Sequence, residues 1–378
     1  MRSLVIKTKF IPPTSPDFLW KNKSLLTKYN KIKDYPLTVI KAGPGFGKST
    51  TLASFFKENY NNNSYWYSID ELDTDSTLFF LNMIHAIKYE DNSIGQESLK
   101  LLNQSRDVGR PLREVIDTLI NELFNQLKED SFLILDDFHL VNNNDKILKH
   151  LEYFISRIPP QLHLVIATRE KINFKKWPTW RLKKKVFVVE EDEFSLNNKD
   201  IKDFLQFEYD LDLTDNQVKK LQKETEGWIM ALDLIGEGLK NGSSIDDILA
   251  NETESLKLLF QYLAYEVVEN QTDEIKEFLL KTSVLKYLGV EICNKLLDIE
   301  NSSEILEKLS TRRLFVYSLS NNQYRYHHLF HEYLKNQCQK KFNHKNLHKK
   351  TAEICLELGK RGFAIYHSLR AEDYDKAA

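Results

Sequence analysis

LTVIKAGPGFGKSTT, residues 37–51, decides the reading of this chain. Its first four residues, apolar or β-branched, suit a buried strand. Gly43, Gly45 and Gly47 then free the backbone for a tight loop, and Lys48-Ser49-Thr50 opens a helix. The pattern is G-x4-G-K-[ST] with Ala42 in the first glycine position. Such a loop turns its N–H groups inward at a helix N-terminus, where donors and dipole together favour phosphate. Gly43, Pro44, Gly45, Phe46 and Gly47 are expected to wrap the phosphates, and Lys48 to reach the β- and γ-phosphates. Ser49 would offer a hydroxyl to Mg²⁺ and Thr50 one to the α-phosphate. The spacing fits ATP or GTP alike.

A phosphate loop needs an acid at the end of a neighbouring buried strand. FLILDDFH supplies two, since four apolar residues lead into Asp136 and Asp137. Asp136 is expected to face Mg²⁺, with Asp137 orienting or deprotonating an attacking water. Adjacent carboxylates after a buried strand are costly without a cation nearby. In LVIATR, a further strand ends on Arg169, a candidate γ-phosphate sensor through a charge-assisted contact. Lys48, Asp136 and Asp137 are thus the candidate catalytic residues, and Ser49 and Asp136 the candidate Mg²⁺ holders.

Outward from the loop, LTVIKA, SYWYSI, SFLILDD, LHLVIATR and KVFVVE alternate with helical patterns. That alternation indicates a parallel sheet covered by helices, one α/β domain over residues 35–192. An arm over residues 1–34 precedes it, with one short helix near Lys23–Lys31. Beyond residue 192 strand patterns stop and helices take over, until LFVYSLSNNQYRYHHLF places two short strands around a turn before a helix. This ribbon resembles the wing of a winged helix. Residues 344–378 read as a helical pair that breaks off in mid-pattern, as expected of a fragment.

The 378 residues carry a net charge of −2, so the chain has no bulk attraction to nucleic acid or anionic membrane. Cys293, Cys338 and Cys355 show no paired spacing, MRSLVIKTKFIPP has no apolar core of signal-peptide length, and no apolar run is long enough to span a membrane. A cytoplasmic location is expected.

Taken in order, these motifs resemble the STAND ATPases, specifically the maltose-regulator-like (MalT-like) bacterial transcription activators. TKFIPPTSPDFL resembles the family's arm, and SYWYSIDELDTDSTLF its W-x-S-L-D-E-x-D-N segment. LDDFHLV resembles its Walker B signature, TEGWIMALDLIG its helical-domain motif, and FLLKTSVL with YRYHHLFHEYLK its winged helix. The resemblance covers essentially the whole chain. It implies a helical domain over residues 193–250, a winged helix over 251–343 and the start of sensor repeats over 344–378. It implies an adenine-nucleotide switch, held closed by ADP and opened by ATP into a self-associating form that hydrolyses slowly. The inducer, a small molecule or protein, would act through C-terminal repeats, of which only the first helices are expected here, and DNA through a C-terminal domain expected to lie outside this chain. The resemblance assigns His327 to the β-phosphate of ADP. Ile229 stands where relatives place an adenine-packing proline, in Gly227-Trp228-Ile229. A rival reading is a AAA-type motor or processing ATPase acting on protein or nucleic acid.

Three further clusters are expected to be ordinary surface. Asp70, Glu71 and Asp73 read as a solvated acidic loop. Lys175, Lys176 and Lys183–Lys185, flanked by Trp177 and Trp180, read as a solvated loop before the last strand. His328 with His331, and His344 with His348, have metal-compatible spacing but read as helix faces.

Overall fold

The computed structural model describes residues 5–13, 20–60, 62–108, 112–249, 254–269, 271–319 and 322–373. They form two compact units, residues 1–195 and 196–378.

The first unit runs α1 (Lys23–Tyr29), β1 (Leu37–Lys41), α2 (Lys48–Asn59), β2 (Ser64–Ser68), α3 (Ser76–Glu90), α4 (Gln96–Val108), α5 (Leu112–Gln126), β3 (Ser131–Asp136), α6 (Asp145–Ile155), β4 (Leu162–Thr168), α7 (Trp177–Leu182) and β5 (Val186–Val189). The five strands form one parallel sheet in the order β2-β3-β4-β1-β5. β3 and β4 are buried along their whole length, as parallel strands covered on both faces must be. Register aligns the strand ends: Lys41 pairs with Thr168, and Ser68 with Asp136. The loops after β1, β3 and β4 therefore emerge at one edge, where open α/β sheets bind ligands. β4 lies between the phosphate-loop strand and the acid-bearing strand, so Arg169 leaves the sheet between them.

Two helices of this unit have no counterpart in the pattern reading. α4 is polar, and its start is capped from another helix: the Glu122 carboxylate of α5 accepts from Glu97 N at 2.9 Å and from Ser98 Oγ at 2.6 Å. A cap from 25 residues away leaves no local sequence signal. α7 replaces the expected basic loop, because Pro178 occupies its first turn and Trp180 is buried.

The acidic segment also departs from a solvated loop. Asp73 is fully buried, and Lys9 lies 2.9 Å from its carboxylate and 2.8 Å from that of Asp70. Asn82 donates to Asp73 at 2.8 Å. Phe10, beside Lys9, joins the sheet core and packs edge-on to Tyr67. A charge this deep is stable only because it is paired and hydrogen-bonded.

The second unit runs α8 (Asn198–Tyr209), α9 (Asp215–Thr225), α10 (Ile229–Lys240), α11 (Ile245–Leu249), α12 (Glu254–Leu263), α13 (Asp273–Thr282), β6 (Leu288–Gly289), α14 (Val290–Leu297), α15 (Ser302–Thr311), β7 (Val316–Ser318), β8 (Gln323–Tyr326), α16 (His328–Lys341), α17 (His344–Glu357) and α18 (Arg361–Arg370). The ribbon has a third strand, giving an antiparallel sheet β6-β8-β7. β6 is two residues long, too short to show alternation. His348 does not sit on an open helix face; it is buried, with its Nδ1 2.7 Å from the Nδ1 of His367.

Among the described residues no helix is long and apolar enough to cross a membrane, and no group of three or more metal-binding side chains converges.

Candidate functional site

The loop between β1 and α2 takes its shape from its glycines. Gly45 and Gly47 adopt φ of 72° and 78°, a region that L-residues enter only with strain. Gly47 is the N-cap of α2, and no side chain caps that helix end. The helix start thus keeps its positive pole and N–H donors for a phosphate. Tyr29 of α1 braces the helix from behind, its hydroxyl 3.0 Å from Thr51 Oγ1.

Lys48 is buried and donates to Gly43 O at 2.8 Å, folding its side chain over the loop. Ser49 Oγ donates to the Asp136 carboxylate at 2.9 Å. Asp137 N donates to the same Asp136 oxygen at 3.0 Å, while Asp137 itself takes a left-handed conformation with φ 55°. Lys48 and Ser49, neighbours in the loop, therefore meet Asp136, 87 residues further on from Ser49, in one cluster, with Asp137 at its rim. Pro44 and Phe46 are buried in the loop, and Thr50 is half-buried at the helix start.

The electrostatics of this cluster are strained. Burial, and then the nearby Arg169 charge, push the Lys48 pKa down to about 8, against the pull of Asp137, Asp136 and Glu191. Burial, and then Asp137, hold Asp136 above the usual carboxylate range. Phosphate beside Lys48 and a divalent cation beside Asp136 would each favour the charged form that burial disfavours. The donor set, a hydroxyl and a carboxylate, is the hard-oxygen set Mg²⁺ requires. The residues fit both groups.

Pattern reading missed one member of the site. Glu191, just past β5, is 3% exposed, and its carboxylate accepts from Gly43 N at 2.7 Å. In sequence it is one acid in VVEEDEF, and only the β1–β5 pairing brings it to the loop.

Ile229 and His327 belong to the second unit. Ile229 is half-buried at the first residue of α10. His327 is fully buried, with its Nε2 3.1 Å from the carbonyl oxygen of Thr225. Its ring stands edge-on to Trp228 and Phe315 at centroid distances of 5.7 and 5.5 Å. Its Nδ1 has no hydrogen-bond partner among the described residues. Burial above all drives its pKa down to about 4, so the ring is neutral near pH 7. Beside it, Arg325 donates twice to the Glu226 carboxylate, at 2.7 and 2.6 Å, and His328 N donates to Glu226 at 3.0 Å. The segment Thr225–Trp228 is thereby fastened to the ribbon and to the start of α16.

Known proteins agree with this architecture. Residues 264–346 match the family described as the MalT winged helix domain. The chain is 27% identical over 358 residues to the HTH-type transcriptional regulator MalT of Yersinia pestis (strain Pestoides F), covering 92% of this chain and 38% of that protein. The corresponding regulator of Yersinia enterocolitica is 26% identical over the same length. The chain thus spans well under half the length of these relatives. Among solved structures, a Walker-type ATPase of Pyrococcus abyssi aligns with a TM-score of 0.62 at 15% identity, over 86% of this chain and 98% of that one. The first unit has a P-loop ATPase fold, and the second unit carries a winged helix of the MalT kind.

Proposed function

We propose that this chain is the adenine-nucleotide switch of a MalT-like transcription regulator, binding ATP or ADP at the loop Gly43–Thr50. One observation carries the reading: Ser49 Oγ bonds to the Asp136 carboxylate at 2.9 Å beside a buried Lys48. An uncapped helix start, a lysine and an acid stand together there, the groups a nucleotide's phosphates and its metal would call for. Ser49 and Asp136 would hold Mg²⁺, which when bound neutralises charge on the β- and γ-phosphates. Lys48 would leave Gly43 O for a phosphate oxygen, and Arg169 would contribute its charge at the γ-position. Asp137 would orient water for a slow hydrolysis that resets the switch.

His327 would serve the latch. It would exchange Thr225 O for the β-phosphate of ADP, while Ile229 packs against the base. A contact that exists with ADP and is lost with ATP is what a nucleotide needs in order to shift a conformational equilibrium. ATP would open the chain and promote self-association. Regulation of transcription, DNA contact and inducer sensing would belong to segments of the relatives outside this chain.

The test is direct. The chain is purified without added nucleotide and denatured, and the released base and phosphates are identified. Near-stoichiometric ADP, lost in Lys48→Ala, is the expected result. An empty site with rapid ATP turnover, stimulated by protein or nucleic acid, would replace the switch by a motor-type ATPase.

A further inference from the structure

The second unit contains a cavity of about 880 Å³, within the size range of small-molecule sites. It opens between the segment after α13, one face of α16 and the turn into α18. Its charge is one-sided: Lys286, Lys335, Lys360 and Arg361 face a single acid, Glu332. Glu332 is already engaged by Lys335 at 2.8 Å. Lys286, Lys360 and Arg361 make no ion pair with any described residue.

Next to these cations lies a buried polar group with an unused atom. His367 is 2% exposed and lines both this cavity and an adjoining one of about 340 Å³. Its Nδ1 is taken by His348 Nδ1 at 2.7 Å, and its Nε2 has no partner among the described residues. If His348 donates in that pair, His367 Nε2 carries a proton and becomes a donor.

The start of α18 adds to the imbalance. Its N-cap is Lys360 and its first residue Arg361, with no acid in the first turn and no capping side chain. Cations at the positive end of a helix work against its dipole. Such a local conflict is resolved when an anion sits at that end, and conflicts of this kind gather at functional sites. Phe363 and Tyr366, 44% and 45% exposed, supply an apolar wall beside the charges.

We propose that this cavity binds a small organic phosphate. Lys286, Lys360, Arg361 and the first N–H groups of α18 hold the anionic group, His367 Nε2–H donates to it, and Phe363 and Tyr366 pack against the body of the ligand. Three uncompensated cations match a doubly charged group better than a single carboxylate. The site is separate from the phosphate loop, which lies in the other unit, and it does not depend on how that loop is used.

Local hydrogen exchange tests the proposal, because it separates this site from the phosphate loop on one molecule. The probe is p-nitrophenyl phosphate at millimolar concentration, with p-nitrophenol as the uncharged control. Exchange across residues 359–366 is expected to slow with the phosphate ester and not with the phenol. Lys360→Gln and Arg361→Gln should each weaken the effect roughly fivefold. Arg361→Lys should retain most of it. Both glutamine variants should melt no lower than the parent chain, since they remove cations from a helix start, and ADP should still protect residues 43–50. Protection confined to residues 43–50, equal protection by p-nitrophenol, or unchanged protection in the double glutamine variant would overturn the proposal.

Discussion

The Glu191 carboxylate accepts the N–H of Gly43 at 2.7 Å, so the segment after the sheet's last strand fastens the head of the phosphate loop. Both groups are buried. Glu191→Ala leaves a buried donor unsatisfied and should cost about 1–3 kcal/mol. Glu191→Gln keeps an acceptor oxygen and should cost less. Urea denaturation measures both, and equal midpoints for the alanine variant and the parent would remove Glu191 from the loop's support.

Acid should weaken the second unit through its buried histidines. His327 is held down to about 4, chiefly by burial, against an ordinary value of 6.5. A depressed folded pKa means that the unfolded chain binds the proton more readily, so stability rises with pH across this window. The contribution is full above about pH 6.5 and is lost as pH falls toward 4, at about 1.4 kcal/mol per pH unit. His331 and His367, also pushed down to about 4 mainly by burial, act in the same direction. Proton NMR of the ring resonances checks this directly. A His327 ring that titrates near its ordinary value refutes the assignment.

Arg325 and Glu226 form a two-pronged pair, with Arg325 raised above its ordinary pKa first of all by that hydrogen bond. Arg325→Ala should cost roughly 1 kcal/mol, a modest figure because the arginine is partly solvated. Arg325→Lys should recover little of it, since an ammonium cannot reproduce the fork. Thermal denaturation of the three chains ranks them. Full recovery by lysine would mean that charge alone matters there.

Gly227 and Gly359 offer a matched contrast. Both have positive φ, 77° and 71°, but a Cβ on Gly227 would meet Leu196 O at 2.4 Å and Leu196 N at 2.6 Å, whereas Gly359 faces open space. Gly359→Ala should cost about 1 kcal/mol of backbone strain. Gly227→Ala adds a clash with backbone that cannot swing away, so about 3 kcal/mol or more is expected. Similar losses in the two variants would show that the Leu196 contact yields easily.

How much could be read beforehand follows the range of the interactions. The loop at Lys41–Thr51, the strand ending on Asp136 and the capped helices declare themselves within a few residues. Thr214 and Gln217, for instance, close a capping box on α9 from three positions apart. α4 gave no such signal because its cap, Glu122, sits on a different helix. Asp73 looked like one more acid on a wet loop because its partner, Lys9, lies 64 residues earlier. His348 looked like a surface histidine because His367 comes one helix later.

The sequence by itself determined the chemistry of the phosphate loop, since glycine torsions, a lysine and a helix start act over a few neighbouring bonds. It also determined that a parallel sheet carries the loop, through the alternation of short apolar runs with helices. Tertiary structure alone decided that β4 stands between the loop and its acid, that Glu191 rather than its acidic neighbours grips Gly43, and that His327 rests against Thr225. Those outcomes depend on strand order and register, which are set by packing across the whole unit and leave no trace in any short stretch of chain.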